Sequence, residues 1–228
     1  MDRRRALLGL LATFAIPPHA GVYELLFGRL PAWPFALRSF LQPPPDAPVI
    51  GDPAARHAVL MFGDYNCPTC RLLGPYLSLA VRQARDIKLV VMLTPIVAPT
   101  SREVARIALA SAKLGQFGVL HERLLATRGK VDPATALRTA AWAGVNIPAL
   151  RAAMKAPELD ATLDRAIALH RANRLMRVPV LVAGSQGFLY RKDTRLDFEP
   201  LFAVAREEAR KRIRMQRAQS SAKSAGKM

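Results

Sequence analysis

The feature that most restricts the fold is a strand-helix-strand run over residues 57–93, with the chain's two cysteines at its first junction. From His57, the apolar run Ala58-Val59-Leu60-Met61-Phe62 ends in Gly63-Asp64-Tyr65-Asn66, a pattern that predicts a buried strand followed by a turn. From Cys67 to about Ala84, the residues Leu72, Leu73, Tyr76, Leu77, Leu79, Ala80 and Val81 recur at helical spacing, which predicts a helix kinked near Pro75. The β-branched run Ile87-Lys88-Leu89-Val90-Val91-Met92-Leu93 predicts a second strand, parallel to the first because a helix crosses between them.

Downstream, residues 100–174 are helical in pattern throughout. Thr100 and Glu103 are spaced as a capping box, and Asp132-Pro133 reads as an N-cap with proline in the first turn. Breaks at Gly115, Gly129, Gly144 and Pro148, and near Pro157, divide this stretch into four or five short helices, read as an insert. Val178-Pro179-Val180-Leu181-Val182-Ala183 and Phe188-Leu189-Tyr190, around Gly184-Ser185-Gln186-Gly187, predict a β-hairpin, and a final helix starts near Asp197. The expected architecture is an α/β sheet with helices on both faces and a helical insert between the β-α-β half and the C-terminal hairpin and helix.

The cysteines stand as Cys67-Pro68-Thr69-Cys70, where a strand gives way to a helix. At a helix N-terminus the backbone N–H groups and the helix dipole stabilise a thiolate, so Cys67 is the expected nucleophile. Cys70, one turn further in, is placed to resolve a mixed disulfide. Pro68 suits the first helical turn, and Pro68 and Thr69 between the cysteines are expected to tune the redox poise. An inert local disulfide and half of a zinc site are the alternatives. Zinc would need more ligands, but there is no second cysteine pair, and His19, His57, His121 and His170 show no paired ligand spacing. No metal and no histidine enters the expected site, and no separate cofactor is required, because the redox group is the Cys67-Cys70 sulfur pair itself.

Residues 3–5 are arginines followed by an apolar run over 6–16, a charged region and hydrophobic region of signal-peptide length. Residues 1–20 are therefore expected to be a signal peptide or an uncleaved N-terminal anchor, and the protein to be exported. Residues 21–53, with Pro31, Pro34, Pro43, Pro44, Pro45 and Pro48, read as a proline-rich spacer, part of it lying on the domain or at a membrane surface. With 51% hydrophobic and 22% charged residues the chain is not globally disordered. The net charge of +17 is spread along the chain and densest after Arg206, without interleaved aromatics, so residues 211–228 are expected to be a disordered basic tail. The first reading of that tail is a solvated basic segment, an anionic membrane surface is the alternative partner for it, and nucleic acid is not expected.

The turn Gly63-Asp64-Tyr65-Asn66 with Cys67-Pro68-Thr69-Cys70, and far downstream Arg177-Val178-Pro179-Val180-Leu181-Val182, resembles the DsbA-like branch of the thioredoxin superfamily. The helical run over 108–125, with Gly115-Gln116-Phe117 and His121, is similar to that family's inserted helices. The resemblance runs from about Val49 to Arg210 and implies a thioredoxin-like fold, with the domain itself expected over 54–210. It implies a protein thiol-disulfide oxidoreductase acting in the periplasm on cysteine-containing exported proteins, with a membrane quinone-linked protein as the reoxidising partner. It also implies that Pro179 is a cis-proline facing the cysteines and that Val178 and Pro179 bind the substrate peptide. Valine at 178, without a hydroxyl, looks more like the family's oxidase pattern than its isomerase pattern. The short, proline-broken segment before Pro53 leaves a monomer as the expectation. A reductase or isomerase of the same fold, or a tethered partner-binding module, are the other functions the chain could serve.

Two departures stand out. Members often carry an acidic residue in the first strand beneath the cysteines, where this chain has Met61, so proton transfer at Cys70 would rely on water or another group. Gly118 stands where an aromatic residue is common, so altered packing is expected there.

Overall fold

The computed structural model describes residues 33–36, 44–190 and 196–225; the expected signal peptide or anchor over 1–20 lies outside the described residues. The strands are β1 (Trp33–Ala36), β2 (Val49–Ile50), β3 (His57–Gly63), β4 (Ile87–Leu93), β5 (Val180–Ala183) and β6 (Gln186–Leu189). The helices are α1 (Pro68–Ala84), α2 (Ser101–Ala112), α3 (Phe117–Ala126), α4 (Pro133–Trp142), α5 (Ile147–Ala153), α6 (Glu158–Ala172) and α7 (Glu199–Ala225). They build one sheet of order β1-β6-β5-β3-β4-β2. Only β3 and β4 run parallel, in a register from His57 opposite Ile87 to Gly63 opposite Leu93, with α1 as the crossover between them.

The mostly apolar runs of β3, β4 and β5, interrupted by Lys88 in β4, follow from burial on both sides. Val59, Met61, Leu89, Val91, Leu181 and Ala183 point to one face, where they meet Leu73, Leu77 and Val81 of α1 and Leu201 and Phe202 of α7. Leu60, Phe62, Val90, Met92, Val180 and Val182 point to the other, against Ala166 of α6 and Leu175. Five helices lie between β4 and β5, and the last of them, α6, covers the second sheet face while also packing on α2. α1 keeps Pro75 inside one continuous helix. Its Gly74 lies against Leu125 of α3, whose methyl would occupy the position of a Cβ.

Four features differ from the sequence expectation. The proline-rich segment is more than a spacer: residues 33–36 and 49–50 form the two edge strands, β1 on β6 and β2 on β4. An edge strand needs only one of its hydrogen-bonding sides, so Pro34 is tolerated in β1. The hairpin strands lie closer than expected, the first shorter and the second starting two residues earlier, joined by Gly184-Ser185 with Gly184 at φ +59, a conformation that suits the first central residue of a two-residue hairpin turn. The capping box at Thr100 and Glu103 is not made: Thr100 is already helical (φ −82, ψ −10), and its hydroxyl turns to the Val131 carbonyl instead. The Asp132 cap does form, its carboxylate accepting the Thr135 N–H at 2.7 Å. Finally, α7 runs on to Ala225 instead of giving way to a disordered tail near 211. Alanine, lysine, arginine and glutamine are strong helix formers, and no glycine or proline interrupts them before Gly226.

The start of α7 is tied to the sheet by Arg206, which grips Asp86 in a two-pronged contact (Nε to Oδ2 2.8 Å, Nη2 to Oδ1 2.9 Å). The Arg206 guanidinium holds the Asp86 carboxyl below the usual carboxylate range.

Candidate active site

Cys67 is the N-cap of α1, with extended backbone (φ −82, ψ 117), and its sulfur accepts the Cys70 N–H at 3.3 Å. The helix begins here because Pro68 lacks the N–H that a first turn leaves unpaired. The Cys67 N–H donates to the Asp64 carbonyl at 3.1 Å, which closes the preceding turn. Both cysteines are thiols; Cys67 is 5% exposed and Cys70 fully buried.

This geometry divides the two sulfurs. The Cys70 thiol hydrogen-bonds to Cys67, and with the N–H groups of Cys70 and Thr69 it brings the Cys67 thiol down to about 7, against burial and the Asp64 charge. Burial, followed by the hydrogen bond to Cys67 and the charge there, pushes the Cys70 thiol well up. One proton is therefore shared unequally: Cys67 carries the negative charge and Cys70 keeps the hydrogen.

Val178 and Pro179 come to the same place from 111 residues away. Their peptide bond is cis, and the Cys67 thiol donates to the Val178 carbonyl at 3.3 Å, a bond that ionisation of Cys67 gives up. Of the six residues predicted, the structure thus brings Cys67, Cys70, Val178 and Pro179 together. Pro68 is exposed and Thr69 half-buried between the cysteines, Thr69 contributing its backbone N–H rather than its hydroxyl.

Beneath the cysteines the strand supplies no acid. Met61 is buried, and its methyl lies beside Gly63, whose Cβ position would be 3.8 Å from the Cys70 sulfur. The carboxylate near the thiols comes instead from the turn. Asp64, 4% exposed, accepts the Asn66 N–H (2.8 Å) and Ser101 hydroxyl (2.9 Å) at Oδ1 and the N–H groups of Ile96 and Val97 (both 2.9 Å) at Oδ2. Asn66 reaches on to Val131, taking its N–H and donating to its carbonyl, both at 2.9 Å.

On the other side, the buried Tyr65 hydroxyl meets His121 Nδ1 at 2.9 Å, and the His121 ring stacks on Phe117 with centroids 5.1 Å apart. Burial drives the His121 imidazole down to about 3, so it is neutral, and its Nε2 has no hydrogen-bond partner among the described residues. In the sequence Asp64, Tyr65 and Asn66 read as a turn that carries the family resemblance and His121 as part of the inserted helices, and neither pattern marks them as site residues. The available signal was three polar or hydroxyl-bearing residues in a row between a fully apolar strand and a cysteine, where a plain turn needs none of them.

Gly118, flagged as a departure, lines a cleft of about 540 Å³ with Ile50, Gly51, Arg82 and Arg85, at the opposite end of α1 from the cysteines. Among the described residues no cluster of three His, Cys, Asp or Glu side chains is placed to hold a metal ion, and no helix is long and apolar enough to cross a membrane.

The chain matches no protein-family model and no curated protein. Among solved structures it is similar to a thioredoxin-like oxidoreductase from Silicibacter pomeroyi DSS-3, with 30% identity over 74% of this chain and 94% of that one and a TM-score of 0.63. It is similar in fold to a periplasmic thioredoxin-like protein from Salmonella enterica serovar Typhimurium (24% identity, 73% of this chain and 91% of that one, TM-score 0.58). The same holds for the thiol-disulfide exchange protein alpha-DsbA2 from Wolbachia pipientis (20% identity, 71% of this chain and 86% of that one, TM-score 0.64).

Proposed function

Because the chain belongs to the thioredoxin-like oxidoreductases, we propose that it is of the DsbA-like kind and performs thiol-disulfide exchange on exported, cysteine-containing proteins, with disulfide donation as its working direction. The observation that carries the exchange chemistry is the unequal pair: an acidified Cys67 at the helix N-cap beside a buried, protonated Cys70.

In the donating direction a substrate thiolate attacks the Cys67 sulfur of the Cys67–Cys70 disulfide. The S–S bond breaks, its electron pair leaves on Cys70, which takes up a proton, and a mixed disulfide joins substrate to Cys67. A second substrate thiolate then attacks the substrate sulfur and displaces Cys67 as the stabilised thiolate. The substrate gains a disulfide and loses two electrons; the protein keeps them as a dithiol. A quinone-linked membrane partner then removes them, and the basic C-terminal arm and the N-terminal segment favour a site of action at a membrane surface.

Val178, half-buried with its carbonyl beside the Cys67 sulfur, supports pairing with a substrate strand next to the reactive thiol. Exposed Ile96, Val97 and Met176 stand on segments bound to the site and offer apolar contact to unfolded clients. The absence of any third cysteine favours donation, since no bystander thiol can be trapped. The export setting is supported by the N-terminal residue pattern and by the periplasmic Salmonella neighbour.

A second reading has an observation in its favour. A Cys67 thiol at about 7 resembles that of a reducing thioredoxin-type pair more than that of the strongest oxidants, whose thiols are far more acidic. Equilibration with glutathione separates the two. A potential near or above that of the oxidising compartment, about −200 mV or higher, supports donation. One near −270 mV makes the protein a reductase, and loss of all exchange in Cys67→Ser is expected in either case.

A further inference from the structure

Asp64 occupies an unusual place for a charge: buried, three residues before the nucleophile and held from several directions. Its four hydrogen bonds come from the turn itself (Asn66), the loop after β4 (Ile96 and Val97) and the first residue of α2 (Ser101). All four partners donate, which suits an acceptor-only carboxylate and leaves it no free direction in which to swing away. The backbone carbonyl of the same residue holds the Cys67 N–H. A network that served only to shape the turn could use a neutral acceptor here, whereas this one fixes a negative charge beside a sulfur that must itself become negative.

We propose that Asp64 is a positioning residue that sets the redox poise: its charge, locked by three segments of the chain, opposes negative charge on Cys67 and holds the couple less oxidising than the helix N-terminus alone would make it. This rests on the exchange chemistry above only for the word redox; the effect on the thiol stands without substrate. The direction agrees with the surroundings. The Asp64 charge pushes up the thiols of Cys67 and Cys70 and the phenol of Tyr65, although at Cys70 a hydrogen bond to the Asp64 backbone acts the other way. The other groups facing Cys67 are the Cys70 thiol, which favours the thiolate, and the Val178 carbonyl, which favours the thiol; the neighbouring Tyr65 and His121 are neutral. Among the described groups acting on Cys67, Asp64 is thus the fixed negative charge, and removing it stabilises the reduced protein.

The test is Asp64→Asn in the full chain, reading thiolate absorbance against pH in the reduced protein and the equilibrium with glutathione. The expected result is a lower thiolate midpoint, with about threefold more thiolate at a pH below the wild-type midpoint. The glutathione equilibrium should move toward the dithiol by a similar factor. Ser101→Ala removes one of the four donors without touching the charge and should leave the midpoint in place. An unmoved midpoint in Asp64→Asn overturns the proposal, as does an equal shift in Ser101→Ala, because geometry and not charge would then be responsible. A lower midpoint without a change in the glutathione equilibrium also overturns the redox role. If Asp64→Asn does not fold, the Asp64 carboxyl carbon resonance of the reduced wild-type protein should show an inflection at the Cys67 midpoint that Cys67→Ser abolishes; no inflection refutes the coupling. A protein that exchanges nothing with glutathione refutes the functional reading, while the thiolate midpoint still reports on Asp64.

Discussion

Ser101 and Arg102 are neighbours in the chain, yet each anchors a polar cluster of opposite character. Ser101, 1% exposed, turns inward to Asp64 and completes the network that includes Asn66 and Val131 under the cysteines. Arg102, its side chain 40% exposed, turns outward across α6 to Asp160 and Asp164, where Arg106 also pairs with Asp160. Both clusters join α2 to distant parts of the chain. They differ in what happens when a partner is lost. Water can replace a missing partner at the surface, whereas in the buried network every deletion strands a polar group without one. The site is therefore held by the cluster with fewer formal charges and more complete hydrogen bonding.

The largest expected effect is on the buried side. Asn66→Ala strands the N–H of the buried Val131 and leaves its carbonyl only the longer Thr100 hydroxyl contact, and at roughly 1–3 kcal/mol per stranded group it should cost about 2 kcal/mol, read as a lower urea midpoint at unchanged slope. A loss no larger than that of a surface pair would break the comparison.

A second, smaller effect separates the two sides by pH. His121 belongs to the buried side and is neutral when folded, its imidazole moved from 6.5 down to about 3. Below its unfolded value the unfolded chain takes up a proton that the folded chain refuses, so this histidine stabilises the fold above about pH 6.5 and that contribution is lost as pH falls toward 3. His57 and His170, also lowered by burial, act in the same sense. His121→Leu should flatten the decline in stability between pH 6.5 and pH 3; an unchanged slope would show that the ring is not buried neutral.

The smallest effect is expected outside. Arg102→Ala should cost less than about 1 kcal/mol. What it costs should shrink further in about 1 M salt, whereas the Asn66→Ala penalty should persist. A salt-resistant loss at Arg102 would mean that the outer lattice is more desolvated than its exposure implies.

Much of this organisation was legible in the sequence. A continuous apolar run at 58–62 and a mostly apolar one at 87–93, separated by a helical pattern, leave little choice but a parallel β-α-β unit, and Cys67-Pro68-Thr69-Cys70 at its first junction marks the reactive turn. The remote partner Val178-Pro179 came from family resemblance, since nothing local to it speaks of a cysteine 111 residues away. The two edge strands were obscured by proline, whose local meaning is a break even where a one-sided edge position tolerates it. The extent of α7 was misjudged because a basic Ser/Ala/Lys composition reads as solvated tail, although the same residues propagate a helix already nucleated by packing at Leu201 and Phe202.

The sequence by itself determined the order of elements, the periodicities that sort residues to the two faces of the sheet, and the pair of sulfurs at the start of a helix, because each depends on residues within one or two turns of each other. Only the tertiary structure decided which polar groups surround those sulfurs. Asp64, Ser101, Val131, His121 and Val178 lie as much as 114 residues apart in sequence and meet through chain crossings that no local pattern encodes. The electrostatics of Cys67 come from that meeting, since a charge acts through the distance and burial that folding creates and not through its position along the chain.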